Sequence, residues 1–160
     1  MHPGIALALA SAILFGASTP FTKLLLGAVD PWLMAGLLGK QEYDESIGEM
    51  KDADELINRI LFLDGLPNVQ RLNPIGVGEN VEQILKADLA LEEKALGDLR
   101  EGIAYCEGVR DFVSRDLLLR ILGREEEHVD FLERQFDLIK QIGIECYVML
   151  NADAASEHGG

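Results

Sequence analysis

The chain has little cysteine, little positive charge and, over its first quarter, almost no charge of either sign. Its two cysteines, Cys106 and Cys146, form neither a disulfide framework nor a pair at metal-ligand spacing. That usage excludes a zinc ribbon and fits a reducing cytoplasm. Only 14 Lys and Arg stand against 28 Asp and Glu, a net charge of −14 with a pI near 4.5. Such a surface repels a phosphate backbone, so nucleic acid is not an expected partner, whereas metal cations are. Gly76, Val77 and Gly78 lack both a preceding strand and a following Lys-Ser/Thr, which excludes a phosphate loop. Internal repeats and low-complexity segments are absent.

Residues 1–39 hold one lysine, Lys23, and one aspartate, Asp30, so the whole −14 belongs to residues 40–160. The break near Gly39 divides an apolar N-terminal helix and turn, 1–39, from a domain over 40–150 and a flexible tail over 151–160. Ile5 to Thr22 is an uncharged run of 18 residues, at the short end for a membrane span. A signal peptide fits less well, because no Lys or Arg precedes the run. Residues 5–28 are therefore a candidate membrane segment.

What is present is organised around Glu42 to Asn68, EYDESIGEMKDADELINRILFLDGLPN. Ile47, Met50, Leu56, Ile57, Ile60 and Leu63 recur at helical spacing and predict one broad buried face. Glu49 breaks it, falling in line with Leu56 and Leu63 when counted by sevens. Glu92 breaks the row Leu85, Glu92, Leu99 in the same way. Glu125 breaks the row Leu118, Glu125, Leu132, Ile139, with His128 one turn further on. A carboxylate on an apolar stripe is costly unless it is paired or bound to a metal. Taken singly, each glutamate reads as a solvated edge position. Three in register, one of them in Glu-x-x-His, read as ligands. Two helices giving a Glu each and two giving Glu-x-x-His make a carboxylate di-iron bundle, and carboxylate oxygen with imidazole nitrogen suits iron.

The runs EYDESIGEMKDADELI, RILFLDGLPNVQ, IGVGENVEQILKADLALE, DFVSRDLLLRIL and EEEHVDFLE followed by DLIKQIG resemble bacterioferritin, the haem-containing branch of the ferritins. The likeness is collinear over residues 41–150. It implies an all-α, ferritin-like four-helix bundle with a long crossover between its second and third helices and a short fifth helix. It also implies oxidation of Fe(II), storage of Fe(III) in a shell, and haem b between subunits. The shell would be a homo-oligomer or a mixed oligomer with other bacterioferritin subunits. By matching motif positions, Glu49 and Glu125 would bridge two irons, Glu92 would be a terminal ligand and His128 the nitrogen ligand of the second iron. The family's histidine three residues after Glu49 is Asp52 here, a shorter ligand for the first iron. No acidic residue precedes Asp30, so the first-helix glutamate has no counterpart. One half of the site is expected to be intact and the other degraded, with a single-iron site as the alternative to a di-iron one.

Met50 holds the family's haem axial-ligand position, although a methionine on an apolar face read alone is core filler. The alternative function is a non-catalytic shell or haem-carrying subunit, or a membrane-tethered iron-binding protein with a degraded ferroxidase site. Residues 4–38 resemble instead the start of a drug/metabolite transporter: one membrane helix, a turn and the beginning of a second helix. Residues 5–28 are expected to form a helix in the place of the missing first bundle helix, with a membrane anchor as the competing reading.

Helix boundaries follow from punctuation. Asp30 and Pro31 predict an N-cap with proline at the first helical position. PWLMAGLLGKQ can run unbroken from there into the Glu42 helix despite Gly36 and Gly39. Gly65, Leu66 and Pro67 predict a stop. The next bundle helices are expected over Glu79–Cys106 and Asp111–Ile142, the latter capped by Gly143. IECYVMLN then forms the short last helix.

Overall fold

The computed structural model describes residues 31–68 and 79–156, with side chains described over 47–68 and 79–151. Four helices account for most of them: α1 over Pro31–Phe62, α2 over Val81–Gly108, α3 over Phe112–Ile142 and α4 over Ile144–Ser156. No strand occurs among the described residues. Pro31 opens α1, and the helix passes Gly36 and Gly39 without a break. The composition boundary at Gly39 therefore falls inside one continuous helix. Each glycine costs about 1 kcal/mol relative to alanine, whereas interrupting the helix would require a second, unfavourable nucleation.

The ends are set by local hydrogen bonding. Asn80 caps α2 by accepting from the Gln83 N–H at 3.0 Å, and Gln83 accepts in return from the Glu79 N–H at 3.0 Å. Asp111 caps α3 by accepting from the Ser114 N–H at 3.1 Å. α1 ends with Asp64 in the left-handed region at φ 57°, one residue before the expected Gly65, as Gly65 N–H closes onto Ile60 O at 2.8 Å. Arg110 does the same after α2 at φ 60°. Gly143, at φ 81°, caps α3 as expected.

Packing fixes the helix directions. Leu56 and Ile60 of α1 meet Ala95, Leu99 and Cys106 of α2 and Leu117, Leu118 and Ile121 of α3 in one buried cluster. The C-terminal ends of α1 and α2 thus lie together beside the start of α3. α1 and α2 run parallel, and α3 runs antiparallel to both. Joining parallel helices requires residues 63–80 to travel back along the bundle. Extended, they reach about 60 Å, against about 42 Å for the 28 residues of α2. That length suffices for the long crossover of a ferritin-like bundle; residues 69–78 lie outside the described ones.

A second cluster, Leu85, Leu132 and Tyr147 with Leu89, Phe131 and Phe136 around it, closes the opposite end. α4 packs there against α1 and α3, and Tyr147 Oη donates to Gln135 Oε1 at 3.1 Å. α4 continues past the expected end at Asn151 to Ser156, because the added residues, ADAAS, are rich in alanine, the strongest helix former.

Beside the apolar contact made by Leu56 and Ile60, the seam between α1 and α3 is ionic. Arg59 Nη2 donates to Asp111 Oδ1 at 2.8 Å and its Nε to Ser114 Oγ at 2.9 Å. Arg120 donates to both oxygens of Glu55 at 2.5 and 3.1 Å, and Arg124 pairs with Asp52.

One expected core position is corrected. Met50 is 45 % exposed, because it turns with the exposed Leu61 on a stripe offset from the buried Leu56 and Ile60. The apolar segment 5–28, with its expected packing as a first bundle helix, lies outside the described residues. Among those described, no helix is long and apolar enough to cross a membrane.

Candidate metal centre

Between the two apolar clusters lies a layer of buried polar side chains. Glu49 and Asp52 come from α1, one turn apart; Glu92 comes from α2; Glu125 and His128 come from α3, again one turn apart. None is more than 6 % exposed. The i, i+3 spacing on two antiparallel helices points both pairs into the same level of the bundle.

One donor atom each of Glu49, Glu92 and His128 lies within 4.8 Å of the other two. His128 Nδ1 is 3.2 Å from Glu92 Oε1, and its Nε2 is 3.9 Å from Asp88 Oδ2. Ligand atoms about 2.1 Å from a shared cation stand roughly 3–4 Å apart, so these three need close only slightly to hold one ion. Two carboxylates and an imidazole from three helices suit a divalent iron-like metal. Asp88 lies on the side of the far nitrogen of the imidazole, beyond direct hydrogen-bond distance.

The other expected ligands are placed differently. Glu125 is buried in the same layer but does not join the mutual cluster of three. Asp52 is engaged elsewhere. Arg124 Nε donates to its Oδ2 at 3.1 Å, and Arg124 Nη2 donates to its Oδ1. Burial pushes the Asp52 carboxyl above its ordinary range, while the Arg124 guanidinium pulls the other way.

Asp88 and Arg124 were not visible as parts of the site from sequence. Asp88 left a signal, since it lies one turn before Glu92 on the row of Leu85. Arg124 left none, because a basic residue beside Glu125, Glu126 and Glu127 reads as a solvated face. Met50 points away from this layer, on the outer side of α1.

A Ferritin-like domain model matches residues 36–142. The Bacterioferritin of Brucella melitensis is 45 % identical over 143 residues, covering 84 % of this chain and 89 % of that one. The chain belongs to the bacterioferritin family. The Bacterioferritin of Rhodobacter capsulatus is 43 % identical over 123 residues, 77 % of this chain and 76 % of that one. That of Mycobacterium bovis is 44 % identical over 103 residues, 64 % and 65 % of the two chains. These matches carry the ferritin-like, all-α reading made from residues 41–150. They give no support to the transporter likeness of residues 4–38.

Proposed function

We propose that this chain is an iron-storage subunit of the bacterioferritin type, which takes up Fe(II), oxidises it in the buried layer and passes Fe(III) to the interior of a multi-subunit shell in the cytoplasm. One observation carries the reading: Glu49, Glu92 and His128, from three different helices, are buried and converge within 4.8 Å. Anionic oxygen ligands favour the higher charge of the ion they hold, so iron bound there loses an electron readily to dioxygen or peroxide. Glu49 and Glu92 would supply the negative charge, and Glu125 stands in the same layer to receive or hand on a cation. His128 would bind through Nδ1, with Asp88 on its Nε2 side. Leu56, Ile60, Leu85 and Leu132 exclude water above and below, which strengthens each electrostatic contact.

Met50 would hold haem b, one methionine from each of two paired subunits. Its exposure on the outer side of α1 supports a partner there rather than core filling. Replacing Met50 by Leu should remove the haem absorbance and leave helix content unchanged; an unaltered haem spectrum would show that Met50 is not the ligand. Sizing the detergent-free fraction while following haem absorbance and Fe(II) uptake tests the whole reading. A shell-sized species that oxidises and retains iron, and loses both properties on Glu92→Ala, is expected. A small species without iron uptake, or recovery from membranes alone, would overturn it.

A second reading is a non-catalytic shell or haem-carrying subunit. The Asp52–Arg124 pair favours it, since one carboxylate of the layer is already committed to a cation.

A further inference from the structure

We propose that Arg124 is a built-in substitute for a second metal ion, its guanidinium occupying the electrostatic position of one cation so that the layer takes a single dication. The inference rests on the metal-site reading of Glu49, Glu92 and His128, and it concerns how many ions that site admits.

The geometry is a matter of adjacent rungs. On α1, Asp52 lies one turn after Glu49. On the antiparallel α3, Arg124 lies one turn before His128 and next to Glu125. The Asp52–Arg124 pair is therefore the rung immediately beside the converging triad. Outside the triad, the buried carboxylates of the layer are Asp52 and Glu125, so a second ion would draw its ligands from this rung. Both Asp52 oxygens are committed to Arg124, through Nε at 3.1 Å and through Nη2. A bidentate guanidinium–carboxylate pair fixes both groups, and the guanidinium stays charged at any working pH. Asp52 ligates a metal only by giving up that pair. With 8 % of its side chain exposed, it has almost no water to take the guanidinium's place. A dication approaching the rung also meets a fixed positive charge at short range.

The pair continues the arginine seam of α1 and α3. Arg59 and Arg120 hold Asp111 and Glu55 on successive turns. Arg124 is the rung at which that seam reaches the buried layer, so it brings a permanent counter-charge into the site rather than lying on its surface. Exposure of 38 % on the Arg124 side chain shows its outer part in contact with solvent. The pair thus closes the layer on one side while the triad stays enclosed.

Co(II) titration of the apo-protein tests the proposal without oxidation chemistry. Ligand-field absorbance would report coordination, and equilibrium dialysis would report stoichiometry. The wild-type chain should bind one Co(II) per subunit, with any second ion at least about 100-fold weaker. The double variant Asp52→His, Arg124→Gln should narrow that gap to about tenfold or less. Asp52→Ala, which retains Arg124, should leave the second ion weak. Arg124→Gln alone, close in shape to arginine's stem, serves if the double variant fails to fold by circular dichroism, and it should strengthen the second ion. Two Co(II) ions bound by wild type with affinities within tenfold would overturn the proposal, as would a gap unchanged in a folded variant that lacks Arg124. A wild-type chain that binds no Co(II) would overturn the site reading itself.

Discussion

Helix α3 has two seams of opposite character. Toward α2 it is mainly apolar, with Leu118, Ile121 and Leu132 interleaved among Leu85, Ala95 and Leu99. Toward α1, outside the apolar contact with Leu56 and Ile60, it carries a ladder of ion pairs, with Arg120 and Arg124 reaching from α3 and Arg59 from α1. The two meet in the buried polar layer, where they treat a buried carboxylate differently. On the α2 side, Glu92 faces His128 in a cluster shaped for an ion from solution. On the α1 side, Asp52 is neutralised by a cation from the chain itself. The same desolvation cost is met in one place by ligand binding and in the other by sequence. Only the first can respond to metal.

The largest effect that separates the two sides is on metal affinity. Glu92→Ala or His128→Ala should weaken Co(II) or Fe(II) binding by about 100-fold or more, beyond the usual effect of an outer-shell change; equilibrium dialysis measures it. Equal loss from Asp52→Ala would erase the distinction.

Next comes stability, and it should be asymmetric within one pair. Arg124→Ala leaves a buried carboxylate without its counter-charge and should cost about 2–3 kcal/mol in urea unfolding. Asp52→Ala releases an arginine that is already partly solvated and should cost about 1 kcal/mol. Equal costs would mean that the pair is a surface bridge.

The pH response of the seam should be smaller and of mixed sign. Burial alone would raise the Asp111 carboxyl, but hydrogen bonds from Ser114 and the charge of Arg59 bring it below its ordinary value of 3.8. Its contribution is complete above pH 3.8 and is lost as pH falls through the lower folded value. Asp111→Asn should therefore flatten the acid limb of a stability–pH curve below that point. At Asp52 the sign is reversed. Its raised value makes ionisation in the native state costly, so that group lowers stability as pH rises from 3.8 to its folded pKa.

Least affected should be the exposed pairs. Arg100→Ala breaks a bridge to Glu126 in which both side chains are more than half exposed. It should change stability by less than about 0.5 kcal/mol.

How far the sequence revealed this molecule varied with the range of the interaction. The burial of Glu49, Glu92 and Glu125 was legible because each interrupts an apolar row on its own helix, and that of His128 because it lies one turn after Glu125, local patterns that need no partner. The helix ends near Pro31, Asp111 and Gly143 were legible for the same reason, since caps act within a few residues. Arg124 was not, because its partner lies 72 residues away on another helix, and nothing local distinguishes it from a surface charge. Met50 was misplaced on the buried face because α1 carries two apolar stripes, Leu56 with Ile60 and Met50 with Leu61. Periodicity alone does not say which one turns inward.

The most direct test of the unequal layer is an anomalous difference map at the iron edge from crystals loaded with Fe(II) without oxygen. One strong peak per subunit is expected, among Glu49, Glu92 and His128, with Arg124 still seated on Asp52. Two peaks of similar height between Glu49 and Glu125, with Arg124 displaced from Asp52, would contradict it.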